Sequence, residues 1–115
     1  MVFSADFKNQ RRDARYKAEF LAQISIGSQL TLNGHLKDLS LKSAFIVLKN
    51  SVYMQMNDEV GFSIQPTPGD EEHVIKGIAR ISRIVVGDGL AIYFTKMDDV
   101  SMTLLKGLVK AFEQD

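Results

Sequence analysis

Residues 74–95 read VIKGIARISRIVVGDGLAIYFT, and this stretch decides the fold. Its apolar and polar residues alternate over two runs, as they do in half-buried β-strands. Gly87-Asp88-Gly89 separates the two runs and predicts a tight turn. The alternation slips around Gly77, which indicates a β-bulge. The stretch therefore predicts a long antiparallel hairpin with strands over 74–86 and 90–95.

Four further strands are predicted on the N-terminal side of this hairpin. Apolar side chains alternate over 18–26 and over 30–36. Gly27-Ser28 between these runs predicts a tight turn with a positive φ at the glycine. A continuous apolar run at 44–48 predicts a well-covered third strand, and alternation over 60–64 predicts a fourth.

Helical spacing replaces the alternation after the hairpin and predicts a helix over about 98–113. Asp98, Asp99 or Ser101 can cap its start. We expect the helix to pack an apolar stripe on the strands, with Leu105 and Val109 beside a row that contains Val100, Leu104, Leu108 and Phe112. The predicted fold class is all-β with one C-terminal helix, as a six-stranded antiparallel β-barrel.

The composition predicts one globular domain. Of the 115 residues, 45% are hydrophobic and 24% are charged, which is sufficient for a core. The chain has no cysteine, and no apolar run approaches the ~20 residues of a membrane helix. Its first residues do not resemble a secretory signal. We therefore expect a cytoplasmic location without membrane insertion.

The charge is unevenly distributed along the chain. Residues 1–17 carry five basic and two acidic side chains, a net charge of +3, whereas the whole chain is neutral. Residues 1–15 are polar without periodicity, so we predict a flexible basic arm there and a single domain over 16–115. A basic arm on a mildly acidic body suits a small anionic ligand. A duplex would require a broad basic face, so no nucleic-acid partner is expected.

Two segments have the chemistry of a ligand site. Arg11-Arg12-Asp13-Ala14-Arg15 precedes the first strand, and Asp38-Leu39-Ser40-Leu41-Lys42-Ser43 lies between the second and third predicted strands. The planar guanidinium matches phosphate oxygens and the O6 and N7 acceptors of guanine. A carboxylate such as Asp38 accepts from the N1–H and N2–H₂ edge of guanine, and Ser40 can bond in the same plane. The set therefore suits a ligand with two phosphates and two guanines.

These two segments resemble the motifs of PilZ domains, the bacterial receptors of cyclic di-GMP. RRDAR matches the family's RxxxR, with Arg11 and Arg15 as the motif pair and Arg12 beside them. DLSLKS matches [D/N]xSxxG through Asp38 and Ser40, and the resemblance covers roughly residues 8–112. It implies that the arginine arm folds over the nucleotide and that a partner protein, not identified by the sequence, reads the rearranged surface.

Ser43 stands where the family has glycine. A glycine there indicates either a positive φ or a close approach by the ligand or the backbone. A serine at positive φ costs about 1–2 kcal/mol. If the ligand closely approaches that backbone, we expect weaker binding, about tenfold for each 1.4 kcal/mol lost. The alternative is a degenerate PilZ-like module that binds a protein and no nucleotide.

Two other classes of function are less favoured. An OB-like binder of single-stranded nucleic acid would interleave several aromatic residues with its basic ones, whereas this chain has only Tyr16 between Arg15 and Lys17 and a net charge of zero. His35 and His73 are the only histidines, and neither has partners at ligand spacing. We therefore expect no enzyme, no catalytic residue, no metal and no cofactor apart from the ligand itself.

Overall fold

The structure, a computed structural model, describes residues 20–27, 30–48, 54–67 and 69–113. Six antiparallel strands close into a barrel in the order β1-β2-β3-β6-β5-β4, and one helix follows them. This architecture confirms the predicted fold class. The elements are β1 (Leu21–Ile26), β2 (Leu30–Leu39), β3 (Ser43–Val47), β4 (Glu59–Gln65), β5 (Ile75–Val85), β6 (Gly89–Met97) and α1 (Asp99–Glu113).

The alternation in the sequence becomes the inner and outer faces of the barrel. Ala22 and Ile24 of β1 are buried in the core, and they pair with β2 on one side and β4 on the other. Gly27 has a φ of +63°, which confirms the positive φ predicted for the turn after β1. The interior is mainly aliphatic, with Ile46, Ile64, Ile81 and Ile92 fully buried, and it also contains Phe62.

β2 is longer than predicted and contains a β-bulge. It pairs with β3 through Leu36↔Ile46 and then Asp38↔Phe45, so Lys37 is the extra residue. Because of this insertion, Leu36 and Leu39 both lie in the core although they are three residues apart. The prediction that residues 38–43 lie between the second and third strands is therefore wrong at both ends: Asp38 and Leu39 belong to β2, and Ser43 is the first residue of β3.

The predicted irregularity near Gly77 is present, but the extra residue is on the neighbouring strand. β5 and β6 pair through Ile78↔Lys96 and then Ala79↔Phe94, which leaves Thr95 of β6 unpaired. A second shift places an extra residue, Ser82, in β5. Gly77 itself is required by a close approach, because an added Cβ would overlap the carbonyl oxygen of Lys96.

Helix α1 packs on β5, but the buried stripe is rotated from the predicted one. Ser101, Leu105 and Val109 are buried, whereas Val100 is 64% exposed, so the prediction that Val100 faces the barrel is wrong. The Ser101 hydroxyl accepts a hydrogen bond from Lys76 N at 3.1 Å, which fixes this face against the start of β5. Asp98 is the N-cap, since its Oδ1 accepts from Ser101 N at 2.7 Å.

Candidate ligand-binding site

The chain enters the barrel beside the strand that carries Asp38. Phe20 is the first described residue, and its carbonyl oxygen accepts a hydrogen bond from Leu36 N at 2.7 Å. The N-terminal end of β1 therefore lies next to the C-terminal half of β2, two residues before Asp38. Arg11, Arg12 and Arg15 lie outside the described residues, so their predicted contacts with a ligand stay predictions.

Asp38 lies on the outer side of β2, immediately after the bulge. It is half-buried and pairs across the ladder with Phe45 of β3. Bulges change the direction of the side chains that follow them, and here Leu39 is in the core while Asp38 lies towards the surface.

The hydroxyl of Ser40 organises the short connection between β2 and β3. Its Oγ accepts from Lys42 N at 3.3 Å and from Ser43 N at 3.2 Å, and Ser40 N donates to Ser43 O at 2.8 Å. A hydroxyl has one proton and two lone pairs, so these two N–H groups use both lone pairs. The proton of Ser40 lies within reach of Ser43 O and Ser43 Oγ, at 3.3 and 3.2 Å.

Ser43 does not have the strained backbone that the family glycine suggested. Among the residues that the structure describes, Asn57 is the only non-glycine with positive φ, so the first of the two explanations, a positive φ at this position, does not hold for Ser43. Ser43 is the first residue of β3, where it pairs with Tyr93 of β6. The remaining explanation for a glycine at this position is a close approach by a ligand or by the backbone.

An aromatic and cationic group on the outer face was not assigned to the site from the sequence. Phe45 is 6% exposed, and the Lys37 Nζ and the Arg83 Cζ lie 5.5 and 5.9 Å from its ring centroid. Tyr93, half of which is exposed, lies in the next row of the same face. The sequence signal was weak, because Phe45 stands inside an apolar run and Arg83 lies far from it along the chain.

A separate cleft of about 410 Å³ opens between β1, β2 and β4. Gln23, Asn33, Ser63 and Gln65 contribute to its lining, and of the described residues around it only Glu71 is charged. The described lining offers no cation to a phosphate group, so the β2–β3 end remains the better candidate.

The histidines form no recognisable metal centre in the part of the chain that the structure describes. No group of three or more His, Cys, Asp or Glu residues there could hold a metal ion. His73 Nδ1 lies 2.8 Å from Asp70 Oδ2 on the exposed loop before β5. Their hydrogen bond lowers the pKa of Asp70 and raises the pKa of His73. This pair is therefore a surface ion pair within the loop.

The fold and the site together define a small closed β-barrel with an acid and a hydroxyl beside the start of its first strand. The model of the PilZ domain family matches residues 9–111 of this chain. That match covers most of the sequence, so the chain belongs to the PilZ domain family. No curated protein sequence matches the chain significantly.

Solved structures share this fold at low sequence identity. The Bacillus subtilis inhibitor of motility MotI/DgrA has a TM-score of 0.72 and 15% identity over 87% of this chain, which spans about half (49%) of that protein. The PilZ domain of Escherichia coli YcgR with c-di-GMP has a TM-score of 0.68 and 17% identity, covering 91% of this chain and 92% of that one. The PilZ domain of CeSA from a cellulose-synthesizing bacterium has a TM-score of 0.59 and 20% identity, covering 86% and 97%.

The TM-scores show a shared fold, and sequence identities this low carry no residue roles into this chain.

Over the described ranges, no helix combines the length and the apolar character needed to cross a membrane.

Proposed function

We propose that this protein is a bacterial cytoplasmic receptor that binds cyclic di-GMP, does no chemistry on it, and signals to a partner protein. The observation that carries the proposal is the hydrogen bond between Leu36 N and Phe20 O. It places Phe20, which stands five residues after Arg15 in the sequence, beside the strand that presents Asp38. A PilZ domain with c-di-GMP bound is among the similar solved structures, which supports this ligand.

Asp38 supplies the specificity for guanine. Its carboxylate is an acceptor, and the N1–H and N2–H₂ edge of guanine presents two donors to it. Adenine presents a different edge, with an acceptor at N1, so it would leave the carboxylate facing another acceptor. Ser40 adds a hydroxyl donor. To accept from it, the ligand must replace Ser43 O or Ser43 Oγ as the acceptor.

The basic segment supplies the phosphate contacts. Arg15 is five residues before Phe20, so covalent geometry alone keeps its Cα within about 18 Å of the Phe20 Cα. Arg12 and Arg11 stand three and four residues before Arg15, so each can reach a larger area. Guanidinium groups bind phosphate oxygens in pairs, so an arm with three of them can close over a dinucleotide. Ordering the arm costs conformational entropy, which reduces the net affinity.

One observation favours the alternative of a protein-binding module that takes no nucleotide. The Ser40 hydroxyl is already hydrogen-bonded within its own loop, and Ser43 contributes to these bonds in place of glycine. In this alternative, Asp38 and Ser40 only stabilise the β2–β3 connection.

Isothermal titration with cyclic di-GMP separates the two functions. We expect saturable binding to the natural chain, no measurable binding to Arg15→Ala or Asp38→Ala, and unchanged binding to Lys106→Ala, whose side chain is exposed on α1. Cyclic di-AMP is the control for base recognition and should not bind. If the natural chain gives no heat of binding, the receptor function is contradicted. The protein-binding module then becomes the favoured function.

A further inference from the structure

We propose that Lys37 and Arg83, held over the ring of Phe45, bind a phosphate group of the nucleotide that Asp38 recognises. This inference rests on the proposed function and assigns two further residues to the same site. Neither residue belongs to the RRDAR or DLSLKS motif.

The ring of Phe45 is on the outer face of the barrel, although it is almost fully buried. Ala44 and Ile46, its neighbours in β3, both point into the core, so Phe45 points outward. Two cations cover it: the Lys37 Nζ lies 5.5 Å from the ring centroid and the Arg83 Cζ lies 5.9 Å from it. Both distances fall in the range of cation–π interactions. Two positive groups therefore lie close to the same aromatic ring.

Phe45 lies in the same row of the sheet as Asp38. Asp38 pairs with Phe45, Phe45 pairs with Ala91, and Ala91 pairs with Arg83, across four adjacent strands. Neighbouring strands are about 4.8 Å apart, so the ring and its cations lie one strand from Asp38. Arg83 is in β5, three strands from Asp38, and its side chain extends over Phe45. Its charge is therefore displaced towards Asp38. A guanine at Asp38 would thus have its sugar and phosphate near the two cations.

The charge of this pair is only weakly neutralised. Lys37 Nζ lies 3.9 Å from Asp88 Oδ2, and both side chains are about half exposed, so this ion pair is weak. Within the described part of the chain, no carboxylate lies within 4 Å of the Arg83 guanidinium. A guanidinium that lies near an aromatic face keeps N–H groups available as hydrogen-bond donors. They can donate to phosphate oxygens without leaving Phe45.

Titration of matched variants with cyclic di-GMP tests the inference. Arg83→Gln should weaken binding about tenfold or more, because a charged hydrogen bond to phosphate is lost, while Arg83→Lys keeps the charge and should lose less. Lys37→Gln should weaken binding in the same direction. Arg80→Gln is the control: it is on the same strand and makes the same change of charge. The Arg80 guanidinium is turned to Asn57 O at 2.9 Å and towards Glu59.

The salt dependence of binding separates a phosphate contact from a purely structural role. Raising the NaCl concentration should weaken binding of the natural chain more steeply than binding of Arg83→Gln, because the screened charge is absent in the variant. A thermal melt of each variant confirms that it folds.

Three outcomes would overturn the inference. If the natural chain binds and Arg83→Gln binds equally well, the inference is wrong and the receptor function stands. If Arg80→Gln weakens binding as much as Arg83→Gln does, net charge is the cause. If the natural chain does not bind, the receptor function fails and this inference fails with it.

Discussion

Replacing Ser43 by glycine, the residue typical of the family, should tighten nucleotide binding and weaken the fold. Ser43 has no positive φ, so glycine relieves no strain there. The substitution removes the 3.2 Å contact between Ser43 Oγ and Ser40 Oγ, which leaves the Ser40 proton with one protein acceptor fewer. It also removes the Cβ from the first position of β3, where a ligand would approach the backbone.

The two effects can be estimated separately. One neutral hydrogen bond has a net value of about 0.5–1.5 kcal/mol, so releasing the Ser40 hydroxyl to the ligand should tighten binding about two- to tenfold. Glycine within a strand costs about 0.5–1 kcal/mol, and losing the serine contact costs a similar amount. The free energy of unfolding should therefore fall by about 1–2 kcal/mol, and Tm falls by about 4–8 °C for each kcal/mol in a domain near this size.

Isothermal titration with cyclic di-GMP and thermal melts measure both effects. Ser43→Ala is the control, because it removes the hydroxyl and keeps the Cβ, so it should give the hydroxyl part of the gain without the close approach. The reasoning is refuted if Ser43→Gly melts lower and yet binds no tighter than the natural chain. In that case neither the hydroxyl nor the Cβ limits the affinity.

Three further substitutions test the fold. Ser101→Ala should lower the free energy of unfolding in urea by about 1–3 kcal/mol, because the part-buried bond from Lys76 N to the buried Ser101 hydroxyl is lost; a loss near zero would contradict this. Gly107→Ala should raise it by about 1 kcal/mol, since an added Cβ meets nothing within 4 Å in the helix, and a decrease would show a contact that the structure lacks. His73→Gln should flatten the pH dependence of stability above about pH 6.5. Asp70 raises the pKa of His73, so this stabilisation is complete below the unfolded value and is lost as the pH rises through the folded pKa; an unchanged profile in urea melts would argue against it.

The barrel was predictable because burial follows local alternation in most strands. Val60, Phe62 and Ile64 alternate in the sequence, and all three are buried in β4. The turn at Gly27 was predictable for a similar reason, since glycine adopts positive φ without steric cost. Both signals are contained within a few residues, so no knowledge of distant partners was needed.

Features that depend on distant partners could not be predicted in the same way. The helix has apolar residues on two adjoining faces, and the buried face is chosen by the bond from Lys76 N to the Ser101 hydroxyl. That bond joins residues 25 positions apart, and a serine in a helix does not by itself indicate burial. Val100 was therefore placed on the barrel side although it is exposed.

The candidate site also contains residues that a local motif identifies and residues that only the folded sheet brings together. Asp38 and Ser40 were identified because a short motif contains them both. Lys37 was not assigned to the site, because nothing local shows that it is the extra residue of a bulge opposite Phe45 and Ile46. Arg83 lies 46 residues after Lys37 in the sequence, and only the closed sheet brings both to one ring.

The bulge at Lys37 connects the core to the candidate site. With Lys37 inserted, Leu39 lies in the core, so the burial of a leucine holds β2 in register up to the connection that Ser40 closes. The same insertion leaves Lys37 on the outer face with Phe45, while Asp38 pairs with that phenylalanine across the ladder. Without the extra residue, strict alternation would place Asp38 on the face of Leu36, and a carboxylate would be buried in an aliphatic core. The cost of removing the carboxylate from water therefore opposes any register in which Asp38 leaves the surface, and together with the burial of Leu39 it keeps the acid and the lysine on the face where the first strand begins.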